Sequence, residues 1–135
     1  MKYVILLLAL TATSLNAGKA YWSNCKDFTN KLMKVDEFIT TGTVARNGNV
    51  SLTVKGTYLM DAEITQAFAH EELNGLVVKN SVYQIPHFTA KKGAGTYVHN
   101  TKLPNIPLKG KLTGKYFLED AAGNQLQCAE LLVKF

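Results

Sequence analysis

Two cysteines, Cys25 and Cys128, lie near opposite ends of this 135-residue chain, 103 positions apart. Whether they pair depends on the redox compartment, since disulfides persist in secreted proteins and are rare in the cytosol. A bond between them would close nearly the whole chain into one loop. On the chain-entropy model, a loop of this length stabilises a fold by about 4–5 kcal/mol. The bond would also hold the two ends of the domain together.

The N-terminal segment indicates an oxidising compartment. Lys2 precedes an apolar run at residues 4–10, and small and polar residues follow as far as Ala20. This order is typical of a signal peptide, cleaved after Ala17 or after Ala20, with Ala20 preferred. The alternatives are a membrane anchor and a core helix, but a spanning helix needs about 20 apolar residues, more than this run provides. We therefore predict a signal peptide at residues 1–20, a mature domain at residues 21–135 and a structural disulfide.

Charge and motif content argue against nucleic-acid binding and against catalysis. Removing Lys2 and Lys19 with the signal peptide lowers the formal net charge from +5 to +3, without the concentrated basic patch of a nucleic-acid-binding protein. His70, His87 and His99 are dispersed and lack metal-ligand spacing. No nucleophile elbow or phosphate-binding loop occurs in the sequence. We predict a protein that is not an enzyme and uses no cofactor or metal.

Short strands separated by turn residues are predicted along the mature chain. Apolar residues at positions 50, 52 and 54 alternate with polar ones, the pattern of a half-buried strand, and Asn47-Gly48 predicts a hairpin turn before it. Further strands are predicted at residues 31–39, 76–78, 82–85, 96–103, 115–118 and 126–135. A change of phase in the last strand predicts a bulge near Ala129 and Glu130.

One segment, residues 61–73, fits two structures. Its composition favours a helix, with Asp61 as N-cap and Gly75 as stop. Ile64 and Phe68 would share one face of a helix or of a strand, so the sequence does not decide between a helix and a strand for this segment.

About seven strands and a bond joining the two ends favour an all-β antiparallel β-sandwich of two sheets over a closed barrel. The triplet Asn49-Val50-Ser51 makes Asn49 a candidate glycosylation site.

Several short motifs carry a family resemblance. They are Trp22-Ser23-Asn24-Cys25, Leu103-Pro104-Asn105-Ile106-Pro107-Leu108-Lys109-Gly110, Gly114-Lys115-Tyr116, Asp120, Gly123-Asn124 and Leu126-Gln127-Cys128. With these motifs, residues 21–135 resemble the ML lipid-recognition domain, which includes the Niemann–Pick type C sterol carrier and phosphatidylglycerol/phosphatidylinositol transfer proteins. The chain departs from that pattern because it lacks the cysteines for two further disulfides common in the family.

The resemblance implies an immunoglobulin-like sandwich whose sheets part to hold a lipid, with the first and last strands tied by a disulfide. It implies a monomer that is secreted or resides in the endolysosomal lumen, and that exchanges one phospholipid or sterol with membranes. Phospholipid is favoured over sterol. The residues that would line the lipid space are Phe38, Val54, Tyr58, Phe68, Tyr83, Ile85, Tyr97, Leu103, Ile106 and Phe117. Each could equally be an ordinary core residue.

The resemblance also places the entrance beside residues 103–108 and a turn at residues 84–88, where prolines restrict the backbone. The predicted portal residues are Pro86, Phe88, Pro104, Pro107 and Leu108. Residues 91–118 contain six lysines and no acidic residue. Lys102, Lys109 and Lys111 would contact anionic headgroups, unless they form only a solvated basic face.

The expected partners are therefore a lipid ligand and a transient membrane surface, with a protein acceptor as a further partner. The rival interpretation is a secreted immunoglobulin-like adhesion or recognition module with a filled core. The two differ in the interior, because a carrier needs a continuous apolar space between its sheets and an adhesion module does not.

Overall fold

A computed structural model describes residues 19–45, 47–103 and 109–134 of the chain. Residues 1–18 of the predicted signal peptide lie outside the described residues, as do the predicted site residues Pro104, Ile106, Pro107 and Leu108. Every regular element in the described ranges is a strand, and these ranges contain no helix that could span a membrane. Lys19 and Ala20 belong to the first strand, so cleavage after Ala20 would remove its first two residues.

The described ranges contain eight strands: β1 (Lys19–Asn24), β2 (Met33–Gly42), β3 (Asn49–Tyr58), β4 (Ala62–Leu73), β5 (Leu76–Ala90), β6 (Gly93–Lys102), β7 (Lys111–Glu119) and β8 (Gln125–Lys134). One sheet has the order β1-β8-β7-β4-β5, and the other has the order β2-β3-β6. All pairings are antiparallel. The predicted all-β sandwich and the Cys25–Cys128 disulfide are both confirmed.

The segment left open by its sequence, residues 61–73, forms β4. It pairs with β5 on one side and β7 on the other, so long-range pairing outweighs its helix-forming composition. Asn74 and Gly75 make the turn into β5, with φ values of 51° and 86°. This left-handed conformation is what an Asn-Gly hairpin turn requires. β5 then runs on to Ala90 and unites the two strands predicted at residues 76–78 and 82–85.

The bulge predicted near Ala129 and Glu130 is wrong, because β8 pairs with β7 in continuous register through those residues. The segment before β2 covers the second face of β8. The backbone amide of Leu32 donates to the carbonyl of Leu126 at 3.0 Å, and Cys128 is bonded to Cys25. The register shift of β8 lies nearer its start, where Leu126 falls between Gln125 and Gln127 without a partner in β7. Leu126 and Ala129 consequently both belong to the core although they are three residues apart.

Two apolar clusters fill the space between the sheets. The large cluster lies toward the disulfide end and is made of Leu32, Met33, Leu52, Val54, Tyr58, Ile64, Ala67, Ala90, Tyr97, Leu118, Leu126 and Ala129. The small cluster lies toward the opposite end and is made of Val50, Ala69, Leu103, Leu112, Tyr116, Leu131 and Val133. Together they bring residues of both sheets into one continuous core.

Gln127 joins the start of β2 to β8, which belongs to the other sheet. Its Oε1 accepts a hydrogen bond from the Met33 amide at 3.0 Å, and its Nε2 donates to the Met33 carbonyl at 3.2 Å. The side chain is 1% exposed. Since buried backbone polar groups need partners, this amide side chain takes the place of a neighbouring strand. It holds the two sheets together along this side of the sandwich.

Replacing Gln127 with leucine is expected to lower the free energy of unfolding by about 2–3 kcal/mol, because the buried amide and carbonyl of Met33 lose their partners. Urea unfolding measures the change. Gln84→Leu is the matched control, since Gln84 is an exposed glutamine of β5, and its effect should stay within about 0.5 kcal/mol. Equal losses in the two variants would contradict the bridging role.

Candidate functional site

Along one edge of the sandwich, the two sheets are joined by the short connection at residues 91–92 and, beyond it, by side chains. In the described part of the chain, β5 pairs only with β4 and β6 pairs only with β3. This β5–β6 edge is the seam. Across it, Tyr83 Oη lies 2.8 Å from His99 Nε2, and the Phe88 ring stacks on Tyr97 with centroids 5.6 Å apart and planes 10° apart. The far side is held by Gln127 and by two backbone hydrogen bonds to the Leu126 carbonyl, so fewer bonds hold the sheets together along the seam.

A bulge in β5 positions the seam residues. The register against β4 shifts between Ile64 and Gln66, leaving residues 85–87 of β5 opposite a single residue. Tyr83 before the bulge, Ile85 within it and Phe88 after it all pack against the interior. The predicted turn at residues 84–88 is therefore a strand with a bulge. Pro86 is tolerated there because β5 is an edge strand.

The interior behind the seam is nearly filled. Its cavity has a volume of about 10 Å³ and is lined by Leu52, Tyr97, His99, Tyr116, Leu118 and Ala129. One water molecule needs about 10–15 Å³ of such volume. A lipid chain can therefore occupy this region only if the two sheets move apart.

Most of the predicted lining residues meet in this interior. Those that belong to the large cluster or pack against it are Phe38, Val54, Tyr58, Tyr83, Ile85 and Tyr97. Leu103 is buried in the small cluster. Ile106 lies outside the described residues. The structure thus gathers six of the ten predicted residues around one apolar region behind the seam.

Phe68 and Phe117 do not line the interior. Their ring centroids lie 6.2 Å apart on the outer face of the five-stranded sheet, where Phe28 also contacts Phe117 at 5.4 Å. In β4 the buried Ala67 and Ala69 flank Phe68. Because side chains alternate along a strand, Phe68 must point outward, and the paired Phe117 points the same way.

A polar belt, made of Glu71, Tyr83, His99 and Tyr116, crosses the interior where the two clusters meet. Glu71 and His99 are only 3% and 5% exposed. The Tyr116 hydroxyl donates to the Glu71 carboxylate, and Tyr83 bonds to His99. In the sequence, His99 is predicted to be an isolated histidine without a functional partner. Tyr97, His99 and Thr101 alternate with polar or exposed residues and are all buried in β6, and this alternation is the signal that indicates a buried His99.

Burial determines the protonation of the belt. Burial, together with the nearby charge of Lys79, lowers the pKa of His99 to about 4. Burial likewise raises the pKa of Tyr83 and of Tyr116, with the Glu71 carboxylate adding to both. His99 is therefore neutral at neutral pH and can hydrogen-bond to Tyr83 without carrying a charge into the core.

The structure describes two of the five predicted portal residues, Pro86 and Phe88. Phe88 stacks on Tyr97 at the seam, whereas Pro104, Pro107 and Leu108 lie outside the described residues. Pro86 is exposed on β5. A cation missed by sequence reasoning lies at the seam itself, where Lys79 Nζ is 4.5 Å from the centroid of the Tyr83 ring. The rim of the seam thus combines an aromatic ring with a positive charge.

The predicted headgroup lysines fall at two places. Lys109 and Lys111 flank the β4–β5 turn, because Asn74 Nδ2 donates to the Lys109 carbonyl and the Lys111 amide donates to Asn74 Oδ1, both at 2.9 Å. Lys102 ends β6 in the other sheet, opposite Asn49. Asn49, the candidate glycosylation site, is exposed at the start of β3. The described residues contain no cluster of three or more His, Cys, Asp or Glu side chains arranged to hold a metal ion.

The fold is similar to that of two solved ML-domain structures. Chicken MD-1, determined in complex with lipid IVa, superposes with a TM-score of 0.52 at 17% identity, over 87% of this chain and 89% of that chain. A Niemann-Pick type C2 protein from Japanese carpenter ant superposes with a TM-score of 0.50 at 11% identity, over 83% and 96%. No protein-family model matches the chain, and no curated protein is similar to it in sequence. The chain therefore has an ML-like, immunoglobulin-like fold.

Proposed function

We propose that this protein is a member of the ML family that carries one lipid between its two sheets, admits it through the seam and exchanges it with membranes. The observation that carries the proposal is the seam, where side chains close an apolar interior beyond the connection at residues 91–92. The same type of sandwich holds lipid IVa in chicken MD-1. Secretion or residence in the endolysosomal lumen follows from the signal-peptide pattern and agrees with the disulfide.

The two contacts at the seam are weak compared with what a lipid chain contributes. Separating Phe88 from Tyr97 costs about 0.5–1.5 kcal/mol, and breaking the Tyr83–His99 hydrogen bond costs a similar amount. Each acyl CH₂ group removed from water returns about 0.8 kcal/mol. A chain of a few methylene groups therefore offsets the loss of these two contacts. The filled interior is then the closed state of a space that the ligand itself opens.

The charge at the seam favours an anionic phospholipid over a sterol. Lys79 is held at the rim over Tyr83, where it can pair with a phosphate while the acyl chains lie behind Phe88 and Tyr97. A sterol hydroxyl carries no charge and gains nothing from this lysine. The reaction is binding and release, with no covalent step.

Native mass spectrometry of the protein secreted from a eukaryotic host tests the proposal. We expect a population with one lipid bound, and extraction followed by lipid analysis should identify a phospholipid. The protein should also take up a short-chain phosphatidylglycerol added to the solution. A protein that is free of lipid and takes up neither phospholipid nor sterol would rule out carriage.

A second variant tests the route of entry. Phe88→Ala is expected to speed the uptake of a fluorescent phospholipid about fivefold, because about 1 kcal/mol of ring stacking no longer holds the seam closed. Phe28→Ala is the matched control, since Phe28 is also half-buried and contacts one ring, Phe117, on the outer face. Stopped-flow fluorescence measures both rates. An equal rate in the two variants would contradict entry through the seam.

The filled interior favours a second candidate, a secreted immunoglobulin-like recognition module. With a cavity of only about 10 Å³, the closed sandwich needs no ligand to complete its core. Such a module would contain no lipid in native mass spectra and would ignore short-chain lipid in solution. The uptake experiment therefore separates the two candidates directly.

A further inference from the structure

The tip of the β4–β5 hairpin exposes three consecutive apolar residues. Leu76 is 74% exposed and Val77 is 56% exposed, and Val78 follows them. They come directly after the tight Asn74–Gly75 turn. Large apolar side chains at a projecting tip make few contacts within the fold. Their contact with water is unfavourable, and they add nothing to the packing of the core. This hairpin tip is therefore suited to insert into another apolar phase.

Three lysines accompany the hairpin tip. Asn74 binds the backbone of both Lys109 and Lys111, which places these residues beside the turn. Lys134 stands directly opposite Lys111 in the β7–β8 pairing. All three side chains are exposed. Lys109, Lys111 and Lys134 form the lysine cluster of this end of the sheet.

The lysine cluster is unfavourable in the isolated protein. Like charges directly opposite each other on neighbouring strands repel, and this destabilises the pair of strands. The acidic residue of β4 on this side, Glu72, lies 3.5 Å from His70 Nε2. An anionic surface that meets Lys111 and Lys134 together would relieve the repulsion. Charge and apolar exposure thus point to the same kind of partner.

We propose that the hairpin tip and the lysine cluster dock the protein on a membrane surface rich in anionic lipid. Leu76 and Val77 enter the headgroup region, and Lys109, Lys111 and Lys134 contact the phosphates. β5 continues from the tip into the seam, so docking would turn the end of the seam at Lys79 toward the membrane. This consequence rests on the proposed lipid carriage, whereas the docking itself does not.

Vesicle sedimentation tests the docking. The protein should bind vesicles of phosphatidylcholine with phosphatidylglycerol, and should bind pure phosphatidylcholine far more weakly. Replacing Lys109, Lys111 and Lys134 with glutamine is expected to weaken binding to the anionic vesicles about a hundredfold, from about 1 kcal/mol for each lysine. Leu76→Ser with Val77→Ser should weaken it at least about tenfold, through lost apolar burial.

Matched controls separate docking from general charge and hydrophobicity. The triple variant Lys34→Gln, Lys55→Gln and Lys92→Gln changes the net charge equally, and Leu59→Ser with Val98→Ser removes exposed apolar groups elsewhere. Both should bind as the unmodified protein does. Equal losses in test and control variants, or no vesicle binding by the unmodified protein, would overturn the proposal; a protein surface would then be the partner of the tip. Uptake of short-chain phosphatidylglycerol from solution needs no membrane and reports on carriage separately.

Discussion

Replacing Cys25 and Cys128 with alanine is expected to lower the free energy of unfolding by about 4–5 kcal/mol. The disulfide closes a loop of 103 residues, and its loss returns the conformational freedom of nearly the whole domain to the unfolded chain. Alanine keeps the two sites apolar, which suits their burial. A domain of this size is stable by about 5–15 kcal/mol. The double variant would therefore lose a large share of its stability.

Urea unfolding of the oxidised protein and of the double variant measures this loss. The disulfide shortens the unfolded chain, so the variant should also show a larger dependence of the free energy on urea. The single variants are expected to resemble the double variant, because either one removes the bond. A loss below about 1 kcal/mol would contradict the entropic account of the bridge.

Acidification is expected to destabilise the protein through His99. The pKa of His99 is about 4 in the folded state and its ordinary value is 6.5. Between these values the unfolded chain binds a proton that the folded chain excludes. The free energy of unfolding therefore keeps its full value above pH 6.5 and declines as the pH falls toward 4. At 1.36 kcal/mol for each pH unit, the loss between pH 7.5 and pH 4.5 is about 2.5 kcal/mol.

The pH effect should appear as a difference between variants, since carboxyl groups also titrate in this range. His99→Gln is expected to lose about 2.5 kcal/mol less than the unmodified protein when the pH falls from 7.5 to 4.5. His70→Gln, at the partly exposed histidine beside Glu72, is the control and should lose as much as the unmodified protein. If His99→Gln showed the full loss, the buried histidine would not be the source.

The same titration bears on the seam. A proton on His99 places a charge beside Tyr83, next to Lys79 and inside an apolar interior. The closed seam then becomes less favourable relative to an open one. Lipid uptake or release should accordingly be faster at pH 4.5 than at pH 7.5, and His99→Gln should reduce that difference.

The general architecture was accessible from the sequence because its signals are local. Alternating residues around Val54, the Asn47-Gly48 turn and the cysteines at the two ends predict an antiparallel sandwich with a terminal disulfide, and the structure has these features. Another local signal was overlooked. Asn74-Gly75 is the same kind of turn dipeptide, and it would have favoured a hairpin over a helix for residues 61–73.

The candidate site depended on tertiary structure. Phe68 and Tyr83 are both aromatic residues in strands, yet one faces outward and the other faces the seam. Their faces depend on which strands lie beside them and on the bulge in β5. Glu71 and His99 are far apart in the chain and come together in the polar belt only through the packing of two sheets. Alternation along a strand is a local property that the sequence records, but the side that becomes the interior is decided by pairing between distant segments.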